Sequence, residues 1–180
     1  SGEKEGVYYQ YFDADLGRPV VNEGEDGLQK LDYALYKAEQ EGIKLLITFT
    51  NNWEAFGGMG QYVQWAKLAG ENVSGHDDFY TNETIKGWYK DYIKTLLNHE
   101  NVYTGVKYKD DPTIFSWELA NEPRCESDAG CENNTVVKWA TEMSAYVKSI
   151  DNNHMLAVGD EGFYNYGYND FPEGVDAGIL

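Results

Sequence analysis

Apolar side chains recur at helical spacing in several stretches of this 180-residue chain, with short continuous apolar runs between them. From about Asn82 to Asn98, the positions Ile85, Trp88, Tyr89, Tyr92, Ile93, Leu96 and Leu97 follow the i, i+3, i+4 template and predict a helix. Leu28, Leu31, Leu35 and Ala38 predict another, with Asp26 as its N-cap, Gln29 as the capping-box partner and Gly42 as its stop. A third is expected over Thr135 to Ser149, with Val136, Val137, Ala140, Met143, Ser144 and Val147 on one face. Met59 to Ala69 predicts a shorter helix that turns Tyr62, Val63, Trp65 and Ala66 inward. Ile43 to Thr50, Ile114 to Leu119 and Met155 to Gly159 read as strands. The first 25 residues read as a long irregular loop with a candidate hairpin at Val7 to Phe12, and Gly70 to Tyr80 as a polar loop. Strand and helix therefore alternate, which predicts an α/β fold with a parallel sheet and helices packed outside it.

The strand from Ile114 runs into Asn121-Glu122-Pro123. Proline cannot donate to a sheet ladder, so the strand must stop there, with Glu122 at its C-terminal tip. In an eight-stranded α/β barrel that tip faces the active site, and a carboxyl group there is a candidate acid or base. The competing reading is a carboxylate that merely caps a loop, beside an Asn121 that forms a turn before proline.

Composition narrows the partners. The net charge of −17, from 31 acidic and 14 basic residues, repels nucleic acid and anionic polysaccharides, whereas a neutral glycan meets no such barrier. Aromatic residues make up 15% of the chain, enough to leave some rings for the C–H faces of sugars after the core is filled. Cys125 and Cys131 match no zinc or redox spacing; with Asn-x-Ser/Thr sequons at Asn72, Asn82 and Asn133 they favour a small loop-closing disulfide, glycosylation and a secreted, extracellular protein. No apolar run approaches the roughly 18 residues of a membrane span, so no membrane partner is expected. His76, His99 and His154 show no metal spacing, and neither a P-loop nor a Ser nucleophile elbow occurs.

Asn121-Glu122-Pro123 resembles the signature of the clan-A retaining glycoside hydrolases. Trp117-Glu118-Leu119-Ala120 before it and Arg124-Cys125 after it make the segment similar to the endo-β-1,4-mannanases of family 5. Asp26-Gly27-Leu28-Gln29, Leu31-Asp32-Tyr33, Asn51-Asn52-Trp53 with Gly57-Gly58, and Gly159-Asp160-Glu161-Gly162 extend the resemblance over about residues 22 to 163. It implies a (β/α)8 TIM barrel, of which this chain supplies roughly the third to fifth strand–helix units as one partial catalytic domain. It also implies cleavage of β-1,4-mannosidic bonds in mannan, glucomannan or galactomannan without cofactor or metal.

Carried over residue by residue, the resemblance makes Glu122 the general acid/base and Asn121 the partner of the sugar 2-hydroxyl. Trp53, which as an isolated residue would more often be core, becomes a sugar-stacking platform. Arg124 binds a sugar hydroxyl or pairs with Glu161. Glu161 binds substrate or positions Arg124, and Asn52 is a further cleft candidate. Glu118, inside the strand, reads as a buried network partner. The nucleophile is expected beyond Leu180, and the absence of a start methionine or signal peptide makes Ser1 read as a trimmed or fragment terminus. Remaining barrel strands, from missing sequence or a second chain, are thus an expected partner. Another family 5 β-glycanase, a mannan transglycosylase and a catalytically incomplete glycan-binding fragment stay open as alternatives.

Overall fold

The computed structural model describes Lys4, residues 6–125, Cys131 and residues 134–161. Its elements run β1 (Gln10–Asp13), β2 (Arg18–Val21), α1 (Leu28–Gln40), β3 (Leu45–Thr48), α2 (Gly58–Leu68), α3 (Asp78–Thr81), α4 (Glu83–Asn98), a 3-10 turn (Tyr108–Asp110), β4 (Ile114–Glu118), α5 (Thr135–Ile150) and β5 (Met155–Ala157). The alternation read from the sequence is therefore present. β3, β4 and β5 form a three-stranded parallel sheet in that order.

Register decides which side chains meet. Ile47, Trp117 and Leu156 lie abreast, as do Thr48, Glu118 and Ala157 one residue later on the opposite face. Trp117 is fully buried, stacks on Phe49 with centroids 5.1 Å apart, and donates its indole N–H to Asp151, the C-cap of α5, at 2.7 Å. Burial of such a ring stabilises the sheet-on-helix layer by about 3 kcal/mol. The helical layer supplies the rest of the core, with Leu28, Leu35, Tyr62, Ile85, Tyr89, Ile93, Trp139, Ala140 and Met143 all buried. On the opposite face Leu46 and Met155 stay about half exposed. No helix among the described residues is long and apolar enough to cross a membrane.

Three local expectations change. The N-terminal segment is not wholly irregular: β1 and β2 form an antiparallel hairpin, later in the chain than the Val7–Phe12 candidate. Asp13 Oδ1 nucleates its turn by accepting from the backbone N–H groups of Asp15 and Leu16, each at 3.0 Å. Asp26 does not cap α1. The carbonyl of Asn22 takes the Leu28 N–H at 2.9 Å, so Gly27 becomes the N-cap with no side-chain bond, and Gln29 reaches back to the Glu23 carbonyl instead. The Gly70–Tyr80 loop closes into the short helix α3. By contrast Gly42 ends α1 as expected: at φ +67° it donates to the Glu39 carbonyl while Ile43 donates to that of Ala38, the paired bonds of a Schellman motif.

A buried polar cluster ties α1 to the end of α4. Asp32 is fully buried and accepts from the Tyr108 hydroxyl at 2.5 Å, while His99 sets Nε2 against Asp32 at 3.0 Å and Nδ1 against Glu23 at 2.9 Å. Asn101 and Val102 complete the shell through the Asp32 carbonyl and carboxylate. Burial disfavours the imidazolium, but the hydrogen bonds and charges of Asp32 and Glu23 outweigh it, so His99 titrates above its ordinary value. The stability it lends is fully present below the unfolded histidine value of about 6.5 and is lost as pH rises through the raised folded value. Melting temperature should therefore fall more steeply with rising pH in the wild type than in His99→Gln. Parallel curves would show that His99 does not carry this linkage.

Candidate active site

The parallel ladder continues past the formal end of β4. Leu119 N–H donates to Ala157 O at 2.9 Å, Ala120 to Val158 at 3.2 Å, Asn121 to Thr50 at 2.9 Å and Glu122 to Gly159 at 3.0 Å. Tyr89 of α4 pins the same stretch by donating its hydroxyl to the Leu119 carbonyl at 2.5 Å. Glu122 then turns into the left-handed region at φ +53°, although a residue before proline prefers extended backbone. An L-residue held there stores strain, a feature that clusters at functional sites.

The Glu122 side chain is half-buried, and its Oε2 accepts the indole N–H of Trp53 at 2.5 Å. Trp53 follows β3, so the bond crosses from one strand end to the next. The Arg124 guanidinium covers the Trp53 ring 5.2 Å from its centroid, a cation–π contact. Arg124 is itself held by Glu161 through two hydrogen bonds, from Nε to Oε2 and from Nη2 to Oε1. Glu161, Arg124, Trp53 and Glu122 thus form one connected chain across three strand ends.

Beneath it lies a supporting layer. Asn121 Nδ2 donates to Asn51 Oδ1 at 3.0 Å, and Asn52 N–H donates to the Asn121 carbonyl at 3.0 Å. Asn52 is 5% exposed, and its Oδ1 accepts from the Arg124 N–H at 3.2 Å and the Tyr80 hydroxyl at 3.4 Å. The Tyr80 hydroxyl also reaches the Arg124 carbonyl at 2.9 Å, and His76 spans the Asn52 carbonyl and the Asp77 carboxylate at 2.9 and 3.0 Å. Glu118 accepts from Thr48 Oγ1 at 2.6 Å, but it is half-buried rather than buried as expected, because its face of the sheet is only partly covered. Cys125 and Cys131 are bonded to each other and close the loop directly after Arg124. A cluster of possible metal donors among the described residues, Asp77 with these cysteines, has both sulfurs in the disulfide and so offers a single carboxylate.

The family model for GH family 5 β-mannosidase-like proteins matches residues 16–173. Mannan endo-1,4-beta-mannosidase 7 of Arabidopsis thaliana is 53% identical over 140 residues, covering 78% of this chain and 32% of that protein. The chain belongs to glycoside hydrolase family 5. Mannan endo-1,4-beta-mannosidase 1 of Oryza sativa subsp. japonica is 50% identical over 143 residues, or 79% of this chain and 33% of that protein. The crystal structure of an endo-1,4-beta-mannanase from Rhizomucor miehei superposes with a TM-score of 0.86 at 44% identity, over 97% of this chain and 51% of that one. A hyperthermostable endo-1,4-beta-D-mannanase from Thermotoga petrophila gives 0.70 at 54% identity, over 80% and 40%. This family 5 chain spans about a third of the plant proteins' length and about half of the fungal chain. Its parallel sheet is an arc of a (β/α)8 barrel, with Glu122 at the C-terminal rim where barrel enzymes build their sites.

The structure gathers Glu122, Asn121, Trp53, Arg124, Asn52 and Glu161 at one end of this family 5 arc. Asn52 lies under the site as a support, with its amide oxygen engaged. Asn72 is exposed; Asn82 is half-buried and uses its Oδ1 to cap α4 through the Ile85 N–H at 3.0 Å; Asn133 lies outside the described residues. Sequence reasoning missed Asn51, His76, Tyr80 and Gly159. Asn51 and Gly159 stand inside the motifs that carry the family resemblance, whereas nothing local marks His76 or Tyr80, which reach the site only through the fold.

Proposed function

We propose that this chain supplies the acid/base half of an endo-acting, retaining β-1,4-mannanase. The observation that carries the reading is the Glu122 carboxyl, presented at a strand tip by strained backbone and gripped by Trp53. The names of the plant relatives and of the solved neighbours support β-1,4-mannan as substrate. Protonated Glu122 gives its proton to the glycosidic oxygen as the C–O bond breaks, and a second carboxylate attacks the anomeric carbon to form a glycosyl-enzyme. Glu122, now ionised, removes a proton from the water that hydrolyses that ester, which restores both carboxyl groups. Glu161 is committed to Arg124 and Glu118 to Thr48. The family resemblance puts the nucleophile on another strand end of the barrel, about 5–5.5 Å from Glu122. Asn121 lies beside the acid/base as the partner for the sugar 2-hydroxyl. The disulfide and the exposed sequon at Asn72 support an extracellular protein.

The test is hydrolysis of β-1,4-mannan and β-1,4-glucan by the whole protein, with the anomeric form of the first product followed by proton NMR. Preferential release from mannan with retained β-configuration is expected. Faster release from glucan, or an inverted product, would replace the reading.

Trp53 has two separable roles here: a ring, with one face under Arg124, and an N–H on the acid/base. Trp53→Phe keeps most of the ring and removes the donor, so kcat should drop about tenfold with KM little changed, the loss of one charge-assisted hydrogen bond. Trp53→Ala should raise KM as well. A Phe variant with wild-type kcat would assign Trp53 to stacking alone.

A further inference from the structure

Three tyrosines meet on the outer surface of the fold. Tyr33 and Tyr36 lie three residues apart on α1, and Tyr103 joins them from the loop between α4 and β4. Tyr36 and Tyr103 stack with centroids 5.4 Å apart and planes 16° from parallel, and Tyr33 meets Tyr103 edge-on at 5.8 Å. Tyr33 is 49% exposed, Tyr103 51% and the adjacent Val102 57%. A contiguous exposed group of this kind marks an interaction surface, whereas scattered single rings do not.

Its chemistry selects the occupant. Gln40 Nε2 donates to the Tyr36 hydroxyl at 2.8 Å, and Lys37 Nζ donates to Gln40 Oε1 at 2.9 Å, so a run of donors and acceptors rims the rings. Among the described residues the hydroxyls of Tyr33 and Tyr103 have no hydrogen-bond partner. The α1 stripe of Tyr33, Tyr36, Lys37 and Gln40 carries no carboxylate, nor do residues 101–106, in a chain with 31 acidic residues and a net charge of −17. The ammonium of Lys37 lies 6.0 Å from the Tyr33 ring centroid and 5.6 Å from that of Tyr36, so the rim is cationic rather than acidic. Exposed rings, free hydroxyls and a surface without carboxylates suit the C–H faces and hydroxyls of a neutral sugar chain. An anionic polymer would meet the repulsion of the whole molecule.

The position separates this surface from Glu122. Tyr103 lies on the connection that enters β4 and Glu122 follows its C-terminal end, so the five-residue strand, on the order of 15 Å long at about 3.3 Å per residue, comes between them along the chain. We infer that Tyr33, Tyr36 and Tyr103 form a second carbohydrate-binding site, which holds a neutral β-mannan chain at a point remote from the cleft. The inference rests on the mannanase reading for the identity of the polymer. Such a site anchors the enzyme on a polymer and does nothing for a substrate short enough to fit the cleft alone.

The whole protein and its Tyr33→Ala/Tyr103→Ala variant are compared by sedimentation with insoluble β-mannan, and by hydrolysis of polymeric mannan and of a short mannooligosaccharide. Retention on insoluble mannan should weaken roughly tenfold and KM for the polymer should rise in step, with kcat/KM on the oligosaccharide unchanged. Tyr33→Phe/Tyr103→Phe, which keeps the rings, should retain most of the binding. Unchanged retention, the result if the patch serves a protein partner, overturns the site. So does an equal loss on polymer and oligosaccharide, which would mean a structural role. If the wild type hydrolyses neither substrate, the mannanase reading fails instead, and retention on mannan still reports on the tyrosines separately.

Discussion

Glu122→Gln should lower mannan hydrolysis by on the order of 10³-fold while mannooligosaccharide still binds. The amide has the shape of the carboxyl group, and its oxygen can still accept the Trp53 N–H, so the strand end and the Arg124–Glu161 pair stay in place. What disappears is the transferable proton. No leaving group is protonated in the first step, and no water is deprotonated in the second. Initial rates on soluble mannan, with binding of an oligosaccharide to the same variant by calorimetry, separate chemistry from recognition. Turnover near the wild-type rate would remove Glu122 from the acid/base role. Loss of binding together with turnover would make it a contact residue.

The second large effect is expected away from the reacting atoms. Gly159→Ala should destabilise the protein by about 3 kcal/mol and abolish most activity. Gly159 sits at φ +92°, where an L-residue is strained whatever the space around it, and a Cβ there would lie 1.9 Å from the Ala120 carbonyl oxygen and 2.8 Å from the Glu118 carboxyl carbon. The nearest of these atoms is backbone of the neighbouring strand end, so β5 would have to move away from β4. The Gly159 carbonyl also receives the Glu122 N–H at 3.0 Å, so that displacement unseats Glu122, the proposed acid/base. Chemical denaturation reads the stability loss, and activity at low temperature, where the variant is still folded, reads the displacement. A variant as stable as the wild type would show that the strand ends are more compliant than their spacing indicates.

Much of this arrangement was legible in one dimension because it is encoded by short-range pattern. α4 shows seven apolar positions at helical spacing, and the structure buries Ile85, Tyr89, Tyr92, Ile93, Leu96 and Leu97 on one face. β4 declared itself by an apolar run and by the proline that ends it. Asp26 misled because a capping signal is weak against a chain that folds back: the Asn22 carbonyl took the first helical N–H and shifted the cap to Gly27. The hairpin of β1 and β2 was hard to place because strands of four residues, mostly half-buried, are too short to show clean alternation.

The chain's linear pattern determined the alternating elements, the point where β4 must stop and the carboxyl group left at that point, since each depends on residues within a few positions of one another. Only the tertiary structure decided what surrounds that carboxyl. Trp53 donates to Glu122 across 69 residues of sequence, and Arg124 reaches Glu161 across 37, because the parallel register of β3, β4 and β5 brings three separate strand ends level. Register is set by the packing of Trp117, Phe49 and the helices against the sheet, a property of the whole core that no local stretch of sequence contains.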